Sequence, residues 1–370
     1  AILNSCNSQT TKMTMNEIDN ILIKQIEDNK TPSVQYIIFN KDSVIHKFQF
    51  GFSDIKNKRK SDESTTYNAY SVTKTFTALS ILQLAEQNKL DIDHPVIKYL
   101  PEFCYSSEIT IRHLMAHSAG IPNPIPISWI HLAEEHNSFD RNSFFSQIFI
   151  KNNKAKSQPN EKYAYSNLGY VLLGQIIEKV SGISYEDYVR LNILQPLNIK
   201  PNELDFTITD VNQHAKGYHK RCSFSNLILG FLIDKSKYVE TTEGKWNSFK
   251  NSYVNGASYG GLIGTSNAFV VYLQELLKPN CKLIKDDYKK LFFTENLTNN
   301  NKATGMCLSW FKGQLNGKQY LAHAGGGGGY YSEIRIYPDL GIGSVIMFNR
   351  TGMSDERYLD KLDKYYINEK

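Results

Sequence analysis

The chain has 370 residues, of which 41% are hydrophobic and 21% charged, and its formal net charge is +5. This length can bury a large core, and no apolar run approaches the roughly 18 residues of a membrane-spanning helix. The charge is small for the length, the basic run Lys56–Lys60 is local, and no nucleic-acid motif occurs, so nucleic acid is not an expected partner.

Strands are predicted at both ends of the chain, with mostly helices between them. In chain order the predicted elements are a helix over Met13–Asp28, strands over Val34–Asn40 and Ser43–Phe50, a helix from Ser71 to about Leu90, an extended Ile121–Pro126, helices over Val171–Val180 and Asn267–Leu277, strands over Tyr330–Tyr337 and Ile342–Phe348, and a helix over Asp355–Tyr366. This order predicts an α+β fold: an antiparallel sheet built from both chain ends and flanked by helices, with an inserted mainly helical region.

The predicted domain organisation is a short N-terminal tail followed by one unit of the size of a catalytic domain. We expect residues 1–12 to be disordered or a linker, and residues 13–370 to form a single unit. Its sheet part covers about 13–75 and 310–370, and its helical and loop insert covers about 76–309. The apolar run Leu227–Ile233 is expected to be a core segment or an apolar lip near a site.

The five cysteines argue against two structural classes. They are Cys6, Cys104, Cys222, Cys281 and Cys307. Because they are widely spaced and lack CxxC pairing, they exclude a zinc ribbon and a disulfide-dense scaffold. Cys6 follows Leu3-Asn4-Ser5 and precedes a polar stretch, which resembles the end of a bacterial lipoprotein signal. We therefore expect export to the periplasm or cell envelope, with Cys6 as a candidate lipid anchor; the alternative is a disordered chain end.

The quartet Ser71-Val72-Thr73-Lys74 pairs a hydroxyl with an amine three residues apart, which places both on one face of a helix. A serine is a weak nucleophile at neutral pH unless a base lies within hydrogen-bond reach, and a desolvated lysine can be that base. Ser53 and Lys56 fit the same pattern, but they lie in a polar turn with no helical spacing after it. We interpret that second match as chance.

Two later segments carry residues that suit the same chemistry. Tyr165 can shuttle a proton, and the amide of Asn167 can fix a lysine and bind a substrate carbonyl; the alternative is a polar helix start. His323-Ala324-Gly325 opens a glycine run, where the absence of Cβ atoms lets a strand edge approach a ligand and the histidine can supply a positive charge or a donor. The alternative there is a flexible loop, while a phosphate cradle lacks GxxxxGK[ST].

The order S-x-x-K, Y-x-N, H-x-G resembles the penicillin-binding serine hydrolases, which include class C β-lactamases and D-alanyl-D-alanine carboxypeptidases. TYNAYSVTKTFTA, IRHLMAHSAGIP (111–122), GGLIGTSNAF (260–269) and the closing HAGGGGGYYSEIRIYPDLGIGSVIMFN are also similar to family segments. The resemblance runs from about residue 15 to 350 and implies a β-lactamase/transpeptidase-like fold.

The resemblance also implies roles. Ser71 matches the nucleophile, Lys74 its partner, Tyr165 the general base, and Asn167 the residue that orients lysine and substrate. His323, Gly325 and Gly326 match the substrate-binding strand, with the N–H groups of Ser71 and Gly326 as the oxyanion hole. The family needs no metal or cofactor.

The sequence also departs from the family. It has no K-[TS]-G, and no ExxLN glutamate that activates the deacylating water in class A enzymes, which argues against efficient β-lactam hydrolysis. Histidine at position 323 is similar to D-aminopeptidases, some D,D-peptidases and esterases of the family. Because alanine and glycines follow His323, no hydroxyl is available there for a substrate carboxylate, and carboxypeptidase action needs an arginine or lysine from elsewhere.

Other motifs offer competing sites. Gly256-Ala257-Ser258-Tyr259-Gly260 fits the nucleophile elbow of an α/β-hydrolase, with Asp286 or Asp287 and then His323 following in the required order. That fold needs a parallel sheet of alternating strands and helices, which the predicted elements lack. The pairs His113/His117 and His131/His136 form neither HExxH nor HxxEH, so no metal site is expected.

The sequence thus predicts a serine hydrolase that acts through an acyl-enzyme on a D-amino-acid peptide or a small ester or amide. Its substrate is a small molecule or a peptidoglycan-like peptide. The alternatives are a penicillin-binding sensor that acylates without efficient turnover, a weak class C-like β-lactamase, and the α/β-hydrolase using Ser258.

Overall fold

The computed structural model describes the backbone of residues 2–222, 234–351 and 357–367, and the side chains of these ranges from residue 15 onward. Its α-helices are α1 (Ile2–Glu27), α2 (Thr73–Glu86), α3 (Ile111–Met115), α4 (Arg141–Lys151), α5 (Asn167–Ser181), α6 (Tyr185–Val189), α7 (Lys235–Tyr238), α8 (Ala257–Gly260), α9 (Ser266–Leu277), α10 (Asp286–Phe292) and α11 (Asp360–Asp363). Within these ranges no helix has the length and apolar character needed to cross a bilayer.

The strands fall into one large sheet and three small ones. They are β1 (Ser33–Asn40), β2 (Val44–Asp54), β3 (Arg59–Lys60), β4 (Tyr67–Asn68), β5 (Ile130–Leu132), β6 (Leu204–Asp205), β7 (Tyr218–Lys220), β8 (Val239–Glu243), β9 (Trp246–Phe249), β10 (Ser252–Val254), β11 (Ile263–Gly264), β12 (Phe311–Leu315), β13 (Lys318–Gly327), β14 (Tyr330–Tyr337) and β15 (Ile342–Phe348). The large sheet has the order β12-β13-β14-β15-β1-β2-β3.

Every strand pair of the large sheet is antiparallel, and the two chain ends meet where β1 pairs with β15. The predicted antiparallel sheet built from both termini is therefore confirmed. The α/β-hydrolase alternative is wrong, because that fold requires a parallel sheet.

The sheet separates two apolar cores, which explains why β1 is buried on both faces. Ile37 and Phe39 face the larger core, where α2, α5 and α9 pack, while Val34, Tyr36 and Ile38 face α1 and the chain's C-terminal segment. Strands covered on both faces tend to be apolar, as β1 is from Tyr36 to Phe39. The larger core holds the helices that carry the catalytic motifs.

Two predicted helices differ from the observed ones. α1 begins at Ile2, upstream of the predicted Met13. Of the terminal helix predicted over Asp355–Tyr366, the described residues 357–366 contain a single α-helical turn, Asp360–Asp363, and the N–H groups of Tyr358 and Leu359 donate to side chains of β14. The run Leu227–Ile233 lies outside the described residues.

A buried ionic cluster fastens the C-terminal segment to the outer face of the sheet. The fully buried guanidinium of Arg335 lies 2.7 Å from Glu333 Oε1, donates to Asp360, and stacks 3.9 Å from the Tyr320 ring centroid. Asp363 accepts hydrogen bonds from three hydroxyl groups, those of Tyr36, Tyr337 and Ser344. Burial raises the pKa of the Glu333 carboxyl to about 7, against the lowering effect of the Arg335 charge.

Candidate active site

Ser71 lies on a tight 3-10 turn, Tyr70–Val72, that leads directly into α2. Tyr70 has a φ of 46°, a left-handed conformation that is unfavourable for a bulky side chain and that often marks functional turns. The neighbouring strands hold this turn: Ser332 Oγ donates to the carbonyl of Ala69, and Gly325 packs against the same carbonyl. The serine is therefore presented by a strained turn braced against the sheet.

The hydroxyl of Ser71 is shared by a lysine and a tyrosine from different parts of the chain. Ser71 Oγ lies 2.9 Å from Lys74 Nζ and 2.9 Å from Tyr165 Oη. Tyr165 lies two residues before Asn167, the first residue of α5. The structure thus brings together three residues that the sequence predicted as one catalytic group, and either partner is within reach to take the serine proton.

Lys74 is fully buried, and this burial lowers the pKa of its amino group well below the usual 10.5. Its nitrogen lies 2.9 Å from Asn167 Oδ1 and 2.7 Å from the carbonyl oxygen of Tyr259. Both of these oxygens can only accept hydrogen bonds. These two contacts use two N–H groups, so the remaining position on the nitrogen faces Ser71 Oγ. In the neutral amine that position is a lone pair, which can receive the serine proton.

Asn167 is oriented by a residue that the sequence did not single out. Its Nδ2 and its backbone N–H donate to Asn123 Oδ1 at 3.1 and 3.0 Å, which turns Asn167 Oδ1 toward Lys74. The predicted role of Asn167 in orienting the lysine agrees with this geometry. Neither Asn123 nor the Tyr259 carbonyl belonged to the motifs that predicted the site.

His323 lies on β13 at the wall of the site and is 1% exposed. Burial, reinforced by the charge of Lys74, lowers the pKa of its imidazole to about 3, so the ring is neutral at physiological pH. Its Nδ1 lies 2.8 Å from the carbonyl of Ala324 and must donate to it, which leaves Nε2 as an acceptor. His323 therefore does not supply the positive charge considered from the sequence.

The glycines after His323 run along an open strand edge. β12 pairs with β13 only as far as Ala322, so among the described strands none pairs with that side of β13 from His323 to Gly327. Gly326 is exposed there and lines the cavity, whereas Gly325 is buried against the turn that carries Ser71. Backbone groups on an unpaired edge can bind a ligand, and ligand binding by this segment stays a prediction.

Gly325→Ala is expected to lower kcat/KM by about 10²-fold, because a Cβ there would lie 2.1 Å from the Ala69 carbonyl oxygen and 2.7 Å from Ser71 N, displacing the nucleophile. Steady-state ester hydrolysis measures the effect. The control is Gly169→Ala, in the interior of α5, where the nearest atoms are at 3.8 Å. Equal activity of both variants would contradict the expected displacement.

A cavity of about 800 Å³ opens above Ser71. Nine of its lining residues carry phenyl or phenol rings: Tyr70, Tyr163, Tyr165, Tyr238, Phe249, Tyr259, Phe311, Tyr320 and Tyr331. Among the described residues no aspartate or glutamate lines it, while Lys250 and Arg357 do. The cavity therefore suits a substrate with an apolar group.

The competing motifs are placed elsewhere. Ser53 Oγ is engaged with the backbone of Arg59 and Lys60. Ser258 is buried in α8, and its carbonyl accepts from Thr77 on α2. The GxSxG segment nevertheless contributes to the site, through the adjacent Tyr259 carbonyl that binds Lys74.

The histidine pairs are hydrogen-bonded within the protein. His113 Nδ1 accepts the Thr110 N–H, and His117 Nδ1 accepts the Ser166 N–H. His131 Nε2 lies 2.9 Å from His136 Nδ1. In the part of the chain that the structure describes, no three or more His, Cys, Asp or Glu side chains are grouped so that they could hold a metal ion.

The fold and site together define a class: an α+β protein that presents a serine to a buried lysine and a tyrosine at the base of an apolar cavity. The sequence profile of the Beta-lactamase family matches residues 18–366. The chain therefore belongs to the beta-lactamase family, the serine hydrolases and penicillin-binding proteins that the motifs predicted.

Individual relatives are distant. A penicillin-binding protein of Bacillus subtilis (strain 168) is 25% identical over 311 residues, which cover 80% of this chain and 63% of the relative's length. The chain thus spans less than two thirds of that protein. The octameric penicillin-binding protein homologue from Pyrococcus abyssi superposes with a TM-score of 0.72 at 24% identity, covering 94% of this chain and 76% of the other.

A second solved structure matches over nearly the whole of both chains. The D-amino acid amidase from Ochrobactrum anthropi SV3, complexed with L-phenylalanine amide, has a TM-score of 0.76 at 18% identity and covers 95% of this chain and 98% of that chain. At such identities the solved structures confirm the predicted fold.

Proposed function

We propose that this protein hydrolyses esters or amides through an acyl-enzyme on Ser71, with D-amino-acid amides and peptides of apolar side chain as the favoured substrate class. The observation that carries the proposal is the contact of Ser71 Oγ with both Lys74 Nζ and Tyr165 Oη, each at 2.9 Å, beneath the cavity.

Acylation follows from these contacts. The proton of Ser71 passes to its lysine–tyrosine partners as Oγ attacks the substrate carbonyl carbon, which forms a tetrahedral intermediate with a negative oxygen. The N–H groups of Ser71 and Gly326 stabilise that oxygen. The intermediate then expels the alcohol or amine, which takes up the proton through Tyr165, and Ser71 remains esterified.

Deacylation uses the same groups in the reverse direction. A water molecule gives a proton to Tyr165 and attacks the ester carbonyl, and Ser71 leaves with a proton returned through Lys74 or Tyr165. This step releases the acid product and regenerates the free serine, so no cofactor is consumed.

The walls of the cavity support the substrate class. Their aromatic rings favour an apolar side chain, and a TM-score of 0.76 to a D-amino acid amidase is in keeping with an amide substrate. Lys250 and Arg357, which are exposed at the cavity, are the cations that recognition of a substrate carboxylate would need. Peptides with a free carboxyl end therefore stay within the proposed class.

Time-resolved mass measurement of adducts tests the proposal. Wild type, Ser71→Ala and Ser258→Ala are treated with a fluorophosphonate and with a fluorescent penicillin. We expect a fluorophosphonate adduct on wild type and Ser258→Ala, none on Ser71→Ala, and turnover of D-phenylalanine amide or p-nitrophenyl butyrate by wild type. Labelling that survives Ser71→Ala would overturn the proposal, and a stable penicillin adduct without turnover of either substrate would indicate a sensor instead.

A further inference from the structure

The loop that carries Tyr165 and Asn167 has no regular structure from residue 155 to 166, yet both side chains are held within 2.9 Å of catalytic partners. A side chain on an irregular loop needs external support to keep such geometry. The support comes from the segment 117–123, which follows α3 and runs beside the loop.

Backbone hydrogen bonds join the two segments. The N–H groups of Asn160 and Ala164 donate to the carbonyls of Ser118 and His117, each at 2.7 Å, and Ser166 Oγ donates to the carbonyl of Pro122. These contacts fix the path of the loop. They do not by themselves fix the two residues at its end, where the chain enters α5.

Two side chains of segment 117–123 complete the attachment at that entry. The first N–H groups of a helix lack partners within it. His117 Nδ1 accepts the N–H of Ser166 at 3.1 Å, and Asn123 Oδ1 accepts the N–H of Asn167 at 3.0 Å. One anchored N–H belongs to Ser166, which lies between Tyr165 and Asn167, and the other belongs to Asn167 itself. A shift of either acceptor therefore moves a catalytic contact.

His117 is suited to this task by its environment. It is 1% exposed, and its ring lies 4.3 Å from the ring centroid of Tyr165 at an angle of 31°. Burial holds the pKa of His117 well below its usual value of 6.5, and Lys74 and His323 lower it further whenever they are protonated. The imidazole therefore stays neutral, and Nδ1 keeps the lone pair that accepts the Ser166 N–H.

The backbone of His117 also limits what can replace it. Its φ is 52°, in the left-handed region where asparagine and histidine are tolerated better than bulky residues. An asparagine at this position can keep the φ and place an amide oxygen where Nδ1 accepts, whereas phenylalanine keeps the ring but offers no acceptor.

We propose that His117 and Asn123 are positioning residues for the reaction at Ser71: through the N–H groups of Ser166 and Asn167 they set Tyr165 against the nucleophile and Asn167 against Lys74. The inference rests on the proposed function and adds two residues that do not touch the reacting atoms. Positioning errors of about 1 Å can cost 10²-fold in rate, which sets the scale of the expected effect.

Inactivation by a fluorophosphonate probe separates chemistry, as kinact, from binding, as KI. We expect His117→Phe and Asn123→Ala each to lower kinact by about 10- to 100-fold with little change in KI. His117→Asn should recover most of the lost rate, because it restores the acceptor. The matched control is His113→Phe, which removes a similar Nδ1 acceptor for a backbone N–H on α3, away from the loop, and should keep the wild-type kinact.

Thermal unfolding of each variant identifies losses caused by misfolding, and Asn123→Ala, at an exposed position, remains informative if His117→Phe does not fold. Wild-type kinact in folded His117→Phe and Asn123→Ala would overturn the inference, as would His117→Asn being as slow as His117→Phe. Failure of the wild type to be labelled at Ser71 would instead overturn the proposed function.

Discussion

Lys74→Met is expected to lower the rate of Ser71 acylation by about 10³-fold while leaving the folded state as stable as the wild type or more stable. The rate falls because the variant has no nitrogen to accept the Ser71 proton or to hold Asn167 in place. Stability does not fall, because methionine fills a site where an amine is buried at 0% exposure.

The stability part of this prediction depends on pH with a definite sign. Burial lowers the pKa of Lys74 in the folded state below 10.5, so between the two pKa values the unfolded chain binds more protons than the folded one. The free energy of unfolding of the wild type therefore decreases as pH falls below about 10.5, and Lys74→Met lacks this loss. The stability advantage of the variant should grow as pH is lowered through that window.

Two measurements check the Lys74 prediction: the rate of fluorophosphonate labelling, and urea unfolding at several pH values. Lys89→Met, which removes an exposed lysine just beyond α2, serves as the control and should change neither. Labelling of Lys74→Met at the wild-type rate would show that Tyr165 alone activates Ser71. A lower stability of the variant at every pH would contradict the argument from burial.

Arg335→Met is expected to lower the free energy of unfolding by about 3–5 kcal/mol, because it leaves Glu333 and Asp363 buried without their common cation. The unfolded chain releases the Glu333 proton near its ordinary pKa of 4.5, whereas burial keeps the folded pKa raised. Because the Arg335 charge lowers this pKa from a still higher value, the variant keeps its Glu333 proton to higher pH than the wild type, whose folded pKa is about 7. The loss of stability should therefore become larger as pH rises above about 7.

Urea unfolding near neutral pH measures this loss. The double variant Arg335→Met/Glu333→Met removes the buried cation together with its closest carboxylate, and it should recover most of the lost free energy. A loss below about 1 kcal/mol in the single variant would mean that the cluster contributes little to holding the C-terminal segment.

The sequence predicted the large sheet well because its strands are bounded by strong turn signals. The strands Tyr330–Tyr337 and Ile342–Phe348 agree with β14 and β15 residue for residue, since Pro338-Asp339-Leu340-Gly341 separates them. The terminal helix was predicted too long because hydrogen bonds from another strand, which leave no local pattern, compete for its N–H groups.

The meeting of Ser71, Lys74 and Tyr165 could be predicted because each is a side chain of characteristic type in a characteristic order. The hydrogen bond from Lys74 to the Tyr259 carbonyl could not be predicted, because every residue has a carbonyl. Only the folded chain places this one 2.7 Å from Lys74 Nζ. The charge of His323 was also beyond sequence reasoning, since it depends on how deeply the ring is buried.

The meeting of the two chain ends in the sheet has a consequence for how the protein is made. β1 lies between β2 and β15, and Val34 is opposite Phe348. During synthesis one edge of β1 must therefore wait until β15 has emerged before its partner strand exists. Pairings this distant in sequence form slowly. The hairpin of β1 and β2 is thus exposed on the ribosome with an unfinished, apolar strand edge until β15 completes the sheet.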